Sequence, residues 1–166
     1  MNTDTFSLTE QAVDQLAGCT PDAPVQRIKL VRLQHRLAIL LSEHFTQSLK
    51  VLNVNQSEWL TLLFLYSVRD QRFSPSQLAK SLNCSRTNAT RIIESLKQKD
   101  FILSTGDSLD KRKMQIALKQ HAINFVEENL PEQYRCLNEI YDGAFTPEEE
   151  EAYRILSMKF LKYLEA

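Results

Sequence analysis

The stretch SPSQLAKSLNCSRTNATRIIESLKQKDFI, residues 74–102, has the pattern of two short helices separated by a sharp turn. Its opening SPSQ has the spacing of a capping box with proline at the first helical position, which predicts a helix that begins after Ser74 and ends near Leu82. Asn83 can adopt the left-handed conformation that ends a helix, and Ser85 can cap the helix that follows. The stretch therefore predicts a helix-turn-helix.

The second helix of this pair has one apolar and one polar face. Its apolar residues recur at the i, i+3, i+4 and i+7 positions that face a protein core, namely Ala89, Ile92, Ile93 and Leu96. The opposite face and its flanks carry Arg86, Thr87, Asn88, Thr90, Arg91 and Glu94. Such a face is ordinarily only solvated, but arginines beside hydroxyl and amide groups also suit the edges of DNA bases.

The residues after this helix change to the two-residue period of β-strands. FILS (101–104) and MQIAL (114–118) are short β-type runs, and the segment between them ends in three successive cations, Lys111, Arg112 and Lys113. This pattern predicts a hairpin with a long, basic tip. A helix-turn-helix followed by such a hairpin is a winged helix, whose second helix fits the major groove while the wing arginine enters the minor groove.

These elements supply candidate DNA-binding residues on the second helix and on the wing. They are Ser85, Arg86, Thr87, Asn88, Thr90, Arg91, Lys111, Arg112 and Lys113. Arg86 lies close to the buried edge of its helix and could instead hold a phosphate or a carboxylate. Asp110 is an acid in a basic loop, so we expect it to pair with an arginine and to support the shape of the wing.

The composition is that of an ordinary globular protein, with 43% hydrophobic and 25% charged residues among 166. The longest apolar run, LTLLFLYSV at residues 60–68, is well short of the roughly 20 residues that span a bilayer. The N-terminal sequence does not have the pattern of a signal peptide, so we expect a cytoplasmic protein.

The cysteines are Cys19, Cys84 and Cys136. They fit neither a disulfide framework nor a zinc site, and we expect no cofactor.

The net charge of -1 conceals an uneven distribution along the chain. Residues 80–119 hold 9 basic and 4 acidic side chains, a balance of +5, whereas residues 120–166 hold 4 and 10, a balance of -6. A basic middle segment beside an acidic tail favours a local site for a polyanion, because the electric field depends on where the charges cluster.

The remaining segments are predicted to be helical, which makes the fold mainly α with a small β-hairpin (α+β). We divide the chain into an N-terminal arm at 1–24, a winged helix-turn-helix DNA-binding lobe at 55–118, and a helical dimerisation region made of 25–54 and 119–166. Glycine and prolines limit the helix expected in the arm to one turn, and Thr146 predicts the cap of the last helix. The dimerisation region carries more apolar surface than one small lobe can cover, which favours a homodimer.

The wing DKRKMQIAL has a D-x-R motif at Asp110 and Arg112, and together with the helix-turn-helix it resembles the MarR family of bacterial transcriptional regulators. SRTNATRI (85–92) and NLPEQYRCL (129–137) are similar to the EmrR-like branch of that family, which represses multidrug-efflux genes. The resemblance in helix order covers residues 25–164.

This resemblance implies a homodimer that binds a pseudo-palindromic operator of double-stranded DNA, with half-sites about one helical turn apart. It implies a ligand-responsive repressor of efflux or stress genes, not an enzyme, with no membrane partner. It also implies a cleft for a small aromatic or lipophilic effector, for which Trp59 and Arg36 are candidates. Core packing is the simpler interpretation of Trp59, and Cys84 could be a redox-active thiol or a packed turn residue.

The alternative function is a winged-helix protein-interaction module or antirepressor without DNA binding.

Replacing Arg112 by alanine should weaken binding to many DNA sequences and flatten the salt dependence of the affinity, because a wing cation mainly neutralises phosphates. Replacing Arg91 by alanine should instead relax the preference at particular base pairs, by about 1–3 kcal/mol at the contacted position. Binding of both variants to operator point mutants at several salt concentrations separates the two effects. If both variants lost the same amount of affinity on every DNA sequence, the assignment of Arg112 to phosphates and of Arg91 to bases would be wrong.

Overall fold

The computed structural model describes residues 5–20, 22–69, 71–105 and 115–166. Its helices are α1 (Thr5–Gly18), α2 (Val25–Leu49), α3 (Gln56–Ser67), α4 (Pro75–Ser81), α5 (Arg86–Gln98), α6 (Gln120–Asp142) and α7 (Pro147–Leu164). Its strands are β1 (Ile102–Thr105) and β2 (Gln115–Leu118), which pair antiparallel. The prediction of a mainly α fold with a small hairpin is confirmed. No helix within these ranges combines the length and the apolar character needed to cross a membrane.

The first of two compact units, residues 1–56, contains α1 and α2. The expectation of a single helical turn in the arm was wrong, since α1 has 14 residues. Val13 is the one buried side chain in the described part of α1. A helix that buries so little needs no regular apolar stripe, and its sequence therefore shows only weak apolar periodicity. A salt bridge of 2.8 Å from Lys29 Nζ to Asp14 Oδ2 holds α1 against α2. This contact between residues 15 positions apart is one that local sequence does not reveal.

The second compact unit, residues 57–166, contains the helix-turn-helix and the hairpin. Trp59, Leu62 and Leu65 of α3 are buried, as expected for a helix that is apolar nearly all round. The core of this unit also includes fully buried side chains from four other elements, namely Leu78, Leu96, Ile116 and Val126. The winged lobe thus has an apolar core of its own, which positions α5 and the base of the hairpin.

Both α4 and α7 begin with capping boxes, of which the sequence predicts the whole box at Ser74 and the Thr146 cap at α7. At α4, Ser74 Oγ accepts a hydrogen bond from the Gln77 backbone N–H at 3.3 Å, and Gln77 Oε1 accepts one from the Ser74 backbone N–H at 2.9 Å. At α7, Thr146 and Glu149 form the same pair of bonds, at 3.3 and 2.9 Å. Each box satisfies backbone N–H groups that a helix start otherwise leaves without partners. These helix starts are therefore determined by local sequence.

Replacing Ser74 by alanine should lower the free energy of unfolding by about 1 kcal/mol, because the Gln77 N–H loses its acceptor. Ser74 is only 9% exposed, so water cannot readily replace its hydroxyl. Chemical denaturation followed by circular dichroism measures the change. The matched control is Ser81→Ala at the exposed end of the same helix, where we expect no loss. Equal destabilisation by both substitutions would count against the capping role.

Candidate nucleic-acid interface

The turn between α4 and α5 is a Schellman motif. The Cys84 N–H donates to the Ala79 carbonyl at 3.0 Å, and the Asn83 N–H donates to the Lys80 carbonyl at 3.2 Å. Asn83 has a φ of 47°, the left-handed conformation that reverses the chain while the last helical carbonyls stay bonded. The role predicted for Asn83 is confirmed, and this turn sets the direction in which α5 leaves α4.

Burial of one face fixes the orientation of α5. The Ser85 hydroxyl accepts a hydrogen bond from the Asn88 backbone N–H at 3.2 Å, which confirms Ser85 as the N-cap. The four residues of the predicted inner face are all buried, at 6% exposure or less: Ala89, Ile92, Ile93 and Leu96. At the other end Asp100, with a φ of 63°, terminates the helix in a second Schellman motif. The helix is thus held at both ends and along its inner face.

The outward face of α5 presents Arg86, Thr87 and Arg91 to solvent. Within the described ranges, neither of these guanidinium groups has an ion-pair partner. Asn88 and Thr90 are half-buried, and the Thr90 hydroxyl donates to the Arg86 carbonyl at 3.0 Å. The structure therefore exposes Arg86, Thr87 and Arg91, with the two arginines available to an external anion, and places Asn88 and Thr90 at the half-buried flanks.

The base of the hairpin is anchored to the segment before α4. β1 and β2 pair with Ile102 opposite Leu118. Phe73 extends this sheet, because the Ile116 N–H donates to the Phe73 carbonyl at 2.8 Å and the Phe73 N–H donates to the Ile116 carbonyl at 3.2 Å. The tip at 106–114 lies outside the described residues, so the roles assigned to four side chains there stay predictions: Asp110, Lys111, Arg112 and Lys113.

An ion pair joins the end of α5 to the start of α6. The Lys119 ammonium donates a hydrogen bond to the Asp100 carboxylate, and His121 Nε2 lies 3.9 Å from the other oxygen of that carboxylate. The hydrogen bond from Lys119 is the main reason that the pKa of Asp100 lies below its ordinary value. Because the pKa is lowered, the contribution of this pair is present at neutral pH and is lost only as the pH falls into the acid range.

Sequence reasoning missed a buried acid behind α5. Glu58, in the first turn of α3, is 1% exposed. Its carboxylate accepts hydrogen bonds from the Ser95 hydroxyl and from Lys99 Nζ, the latter at 2.6 Å. The signal in the sequence was a lone acid at the start of the otherwise apolar stretch EWLTLLFLYSV, 58–68.

Within the first compact unit, Arg36 lies in a cleft of about 410 Å³ between α1 and α2. The cleft is lined by Phe6, Thr9, Arg32, His35, Arg36 and Ile39. Arg32, His35 and Arg36 have the i, i+3, i+4 spacing that puts side chains on one face of a helix. Among the described residues none of these three has an ion-pair partner. Of these three, Arg36 was predicted from the sequence and Arg32 and His35 were not, although their spacing on one helix face was a usable signal.

Trp59, the other effector-binding candidate, lies in the second compact unit and is 6% exposed. Its ring meets that of Phe125 edge to face, with the centroids 6.3 Å apart. Little of the ring is left for a ligand in this arrangement, so the geometry favours the core-packing interpretation.

Across the described ranges, no group of three histidine, cysteine or acidic side chains is arranged to hold a metal ion. Cys84 is a free, half-buried cysteine in the turn before α5. Its backbone N–H closes the Schellman motif, which gives this position a structural role whatever the reactivity of the thiol.

Comparisons with known proteins agree with this geometry. A model of the MarR family matches residues 54–114. The chain is 31% identical over 150 residues to the transcriptional repressor MprA of Escherichia coli K12, covering 90% of this chain and 85% of MprA.

Solved structures extend the likeness to the fold. Sco3205, a MarR family transcriptional regulator from Streptomyces coelicolor solved in complex with DNA, is similar with a TM-score of 0.76 at 17% identity, over 87% of this chain and 94% of Sco3205. BpsR of Bordetella bronchiseptica, whose DNA binding is regulated by 6-hydroxynicotinic acid, is similar with a TM-score of 0.66 at 23% identity, over 78% of this chain and 90% of BpsR.

Proposed function

The chain belongs to the MarR family of transcriptional regulators, and on this premise we propose that it is a homodimeric repressor that binds operator DNA in the cytoplasm. Each subunit would place α5 in the major groove and its wing at the adjacent minor groove. The observation that carries the proposal is the outward face of α5, where Arg86 and Arg91 have no ion-pair partner among the described residues while the opposite face is buried. The protein would act by occupying DNA, without enzyme chemistry.

A second copy of the chain is the partner that the exposed helices require. Every residue of α7, 147–164 in the described range, is exposed in a single chain, among them Leu156 at 64%. Leu49 is the single buried residue in the described length of α2. Soluble proteins seldom leave this much contiguous apolar surface uncovered, and symmetric self-association is the usual way to cover it. The dimer would present two α5 helices to half-sites about one helical turn apart on a pseudo-palindromic operator.

We assign the DNA contacts by the chemistry of each side chain. Arg91 and Thr87, on the outward face, would read base edges, because guanidinium and hydroxyl groups match the donors and acceptors of the major groove. Arg86, in the first turn of α5, would hold a phosphate, where the helix N-terminus also favours an anion. The other members of the predicted set would act at the flanks and on the wing, with Asp110 as support: Ser85, Asn88, Thr90, Lys111, Arg112 and Lys113.

We further propose that the cleft between α1 and α2 binds a small organic acid that relieves repression. Arg32, Arg36 and the imidazole of His35, none with an ion-pair partner among the described residues, line it together with the apolar side chains of Phe6 and Ile39, an arrangement that suits a carboxylate attached to an aromatic ring. BpsR, one of the structural neighbours, responds to an aromatic acid of this kind. The ligand would release DNA by favouring a dimer whose half-site spacing mismatches the operator, since only differential affinity shifts an equilibrium. Efflux or stress genes are the proposed targets.

Selection of duplexes from a random pool, followed by mobility-shift titrations at graded salt, tests the DNA-binding function. We expect a pseudo-palindromic sequence to be enriched and to bind with a dissociation constant of about 10⁻⁸ to 10⁻¹¹ M. The affinity should fall steeply as salt rises, because the phosphate contacts release counterions. A folded, dimeric protein that enriches no sequence would instead support the protein-interaction module.

Replacing Leu156 by aspartate should raise the dissociation constant of the dimer about a hundredfold, or roughly 3 kcal/mol, because the interface would bury an unpaired charge. Operator affinity should fall with it, since a monomer reaches only one half-site. Analytical ultracentrifugation and mobility shifts measure the two effects. Lys162→Asp, at a position of α7 that already carries a charge, is the control and should leave the dimer intact. A monodisperse dimer of the Leu156 variant would refute α7 as the interface.

Replacing Arg36 by alanine should weaken the binding of aromatic carboxylates roughly 10- to 100-fold, because a hydrogen bond to a charged group contributes roughly 1.5–3 kcal/mol. Titration calorimetry can use 6-hydroxynicotinic acid as the first of a panel of aromatic acids, each compared with its neutral carboxamide. Arg27→Ala, on the same helix but outside the cleft lining, is the control and should leave binding unchanged. Equal binding of acid and amide, or no effect of Arg36→Ala, would rule the site out.

A further inference from the structure

We propose that Glu58 is a positioning residue that fixes the rotation of α5 about its own axis and thereby sets the base preference of the protein. The inference rests on the proposed DNA-binding function, in which α5 reads the operator. It concerns a buried group that contacts the flank of that helix next to the surface that would meet DNA.

The Glu58 carboxylate holds two successive turns of α5. One of its oxygens accepts a hydrogen bond from the Ser95 hydroxyl, and the other accepts one from Lys99 Nζ at 2.6 Å. Ser95 and Lys99 are four residues apart, so the two bonds grip the helix one turn apart along its axis. Bonds to an ionised carboxylate are short and directional, and the low dielectric around a buried group strengthens them.

The apolar contacts of α5 set its orientation broadly and supply less directional control than these two bonds. Hydrophobic burial is non-directional, so the buried inner face selects which side of the helix points inward without specifying a precise angle. Ser95 lies on the flank between the buried face and the outward face, one helical turn from Arg91. A rotation of α5 that breaks the Ser95 bond therefore also moves the Arg91 guanidinium, whose bidentate contacts with a base depend on its position.

The location of Glu58 also links α5 to the start of the second compact unit. The chain passes from one unit to the other between Gln56 and Ser57, and Glu58 follows immediately in the first turn of α3. A displacement of that turn reaches α5 through the Glu58 carboxylate.

The double variant Glu58→Leu, Lys99→Met tests the inference by replacing the ion pair with apolar side chains of similar size, a change that often leaves a protein folded. Circular dichroism and ultracentrifugation establish folding and dimerisation. The affinities for the operator selected by the wild-type protein and for a scrambled duplex are then measured at one salt concentration. We expect the ratio of the two affinities to fall about tenfold. A merely structural loss would lower both affinities by the same factor, and an unchanged ratio would overturn the inference.

Ser95→Ala is a milder test that leaves the ion pair in place, and it applies even if the double variant fails to fold. The affinity ratio should fall roughly threefold, as expected for one hydrogen bond, and Ser95→Thr should restore it. Thr61→Val is the matched control, because it removes a buried hydroxyl of the same lobe whose bond to the Ser57 carbonyl, at 2.7 Å, stays within α3. The same fall in the control as in Ser95→Ala would overturn the inference.

The outcomes distinguish this inference from the function on which it rests. A wild-type protein that selects no operator overturns the proposed function and this inference with it. A wild-type protein that reads an operator, together with Ser95 and Glu58 variants that keep its affinity ratio, overturns the inference alone.

Discussion

Burial of the inner face of α5 is the interaction on which the rest of the structure depends. Ile92, Ile93 and Leu96 are all buried, and each such side chain contributes roughly 1.5–3 kcal/mol, more than the approximately 1 kcal/mol of a helix cap. The core therefore decides which side of the helix faces inward, and the polar residues must face solvent. The exposed arginines are a consequence of this constraint, and a DNA-reading surface becomes possible because the opposite side is so firmly occupied.

Two kinds of interaction, apolar burial and hydrogen bonds, together orient this helix. Apolar burial supplies most of the free energy but tolerates small rotations, whereas hydrogen bonds contribute less and constrain the angle. Ser85 and Asp100 constrain the ends of α5, and Glu58 constrains its inner flank through Ser95 and Lys99. A buried carboxylate is costly to desolvate, so its presence in the core is better explained by the geometry it imposes than by net stability.

Features encoded by neighbouring residues could be predicted from the sequence, and features that depend on distant contacts could not. The capping box at Ser74, the left-handed turn at Asn83 and the apolar period of α5 are all local signals, and each was confirmed. The helix α1 was missed because it buries only Val13 among its described side chains and because the salt-bridge partner of its Asp14 lies 15 residues further along the chain. Glu58 was missed because its partners lie 37 and 41 residues further along the chain.

A single chain is incomplete in two respects, and the proposed dimer removes both. It leaves the apolar surfaces of α2 and α7 exposed, and it carries one α5 where a pseudo-palindrome offers two half-sites. Pairing two chains covers the apolar surface and makes operator affinity depend on the distance between the two α5 helices. DNA has a fixed helical repeat, whereas apolar helix contacts tolerate small displacements. Because α2 carries both an exposed apolar surface and the arginines of the cleft, the proposed ligand would be able to alter operator affinity from there without touching α5.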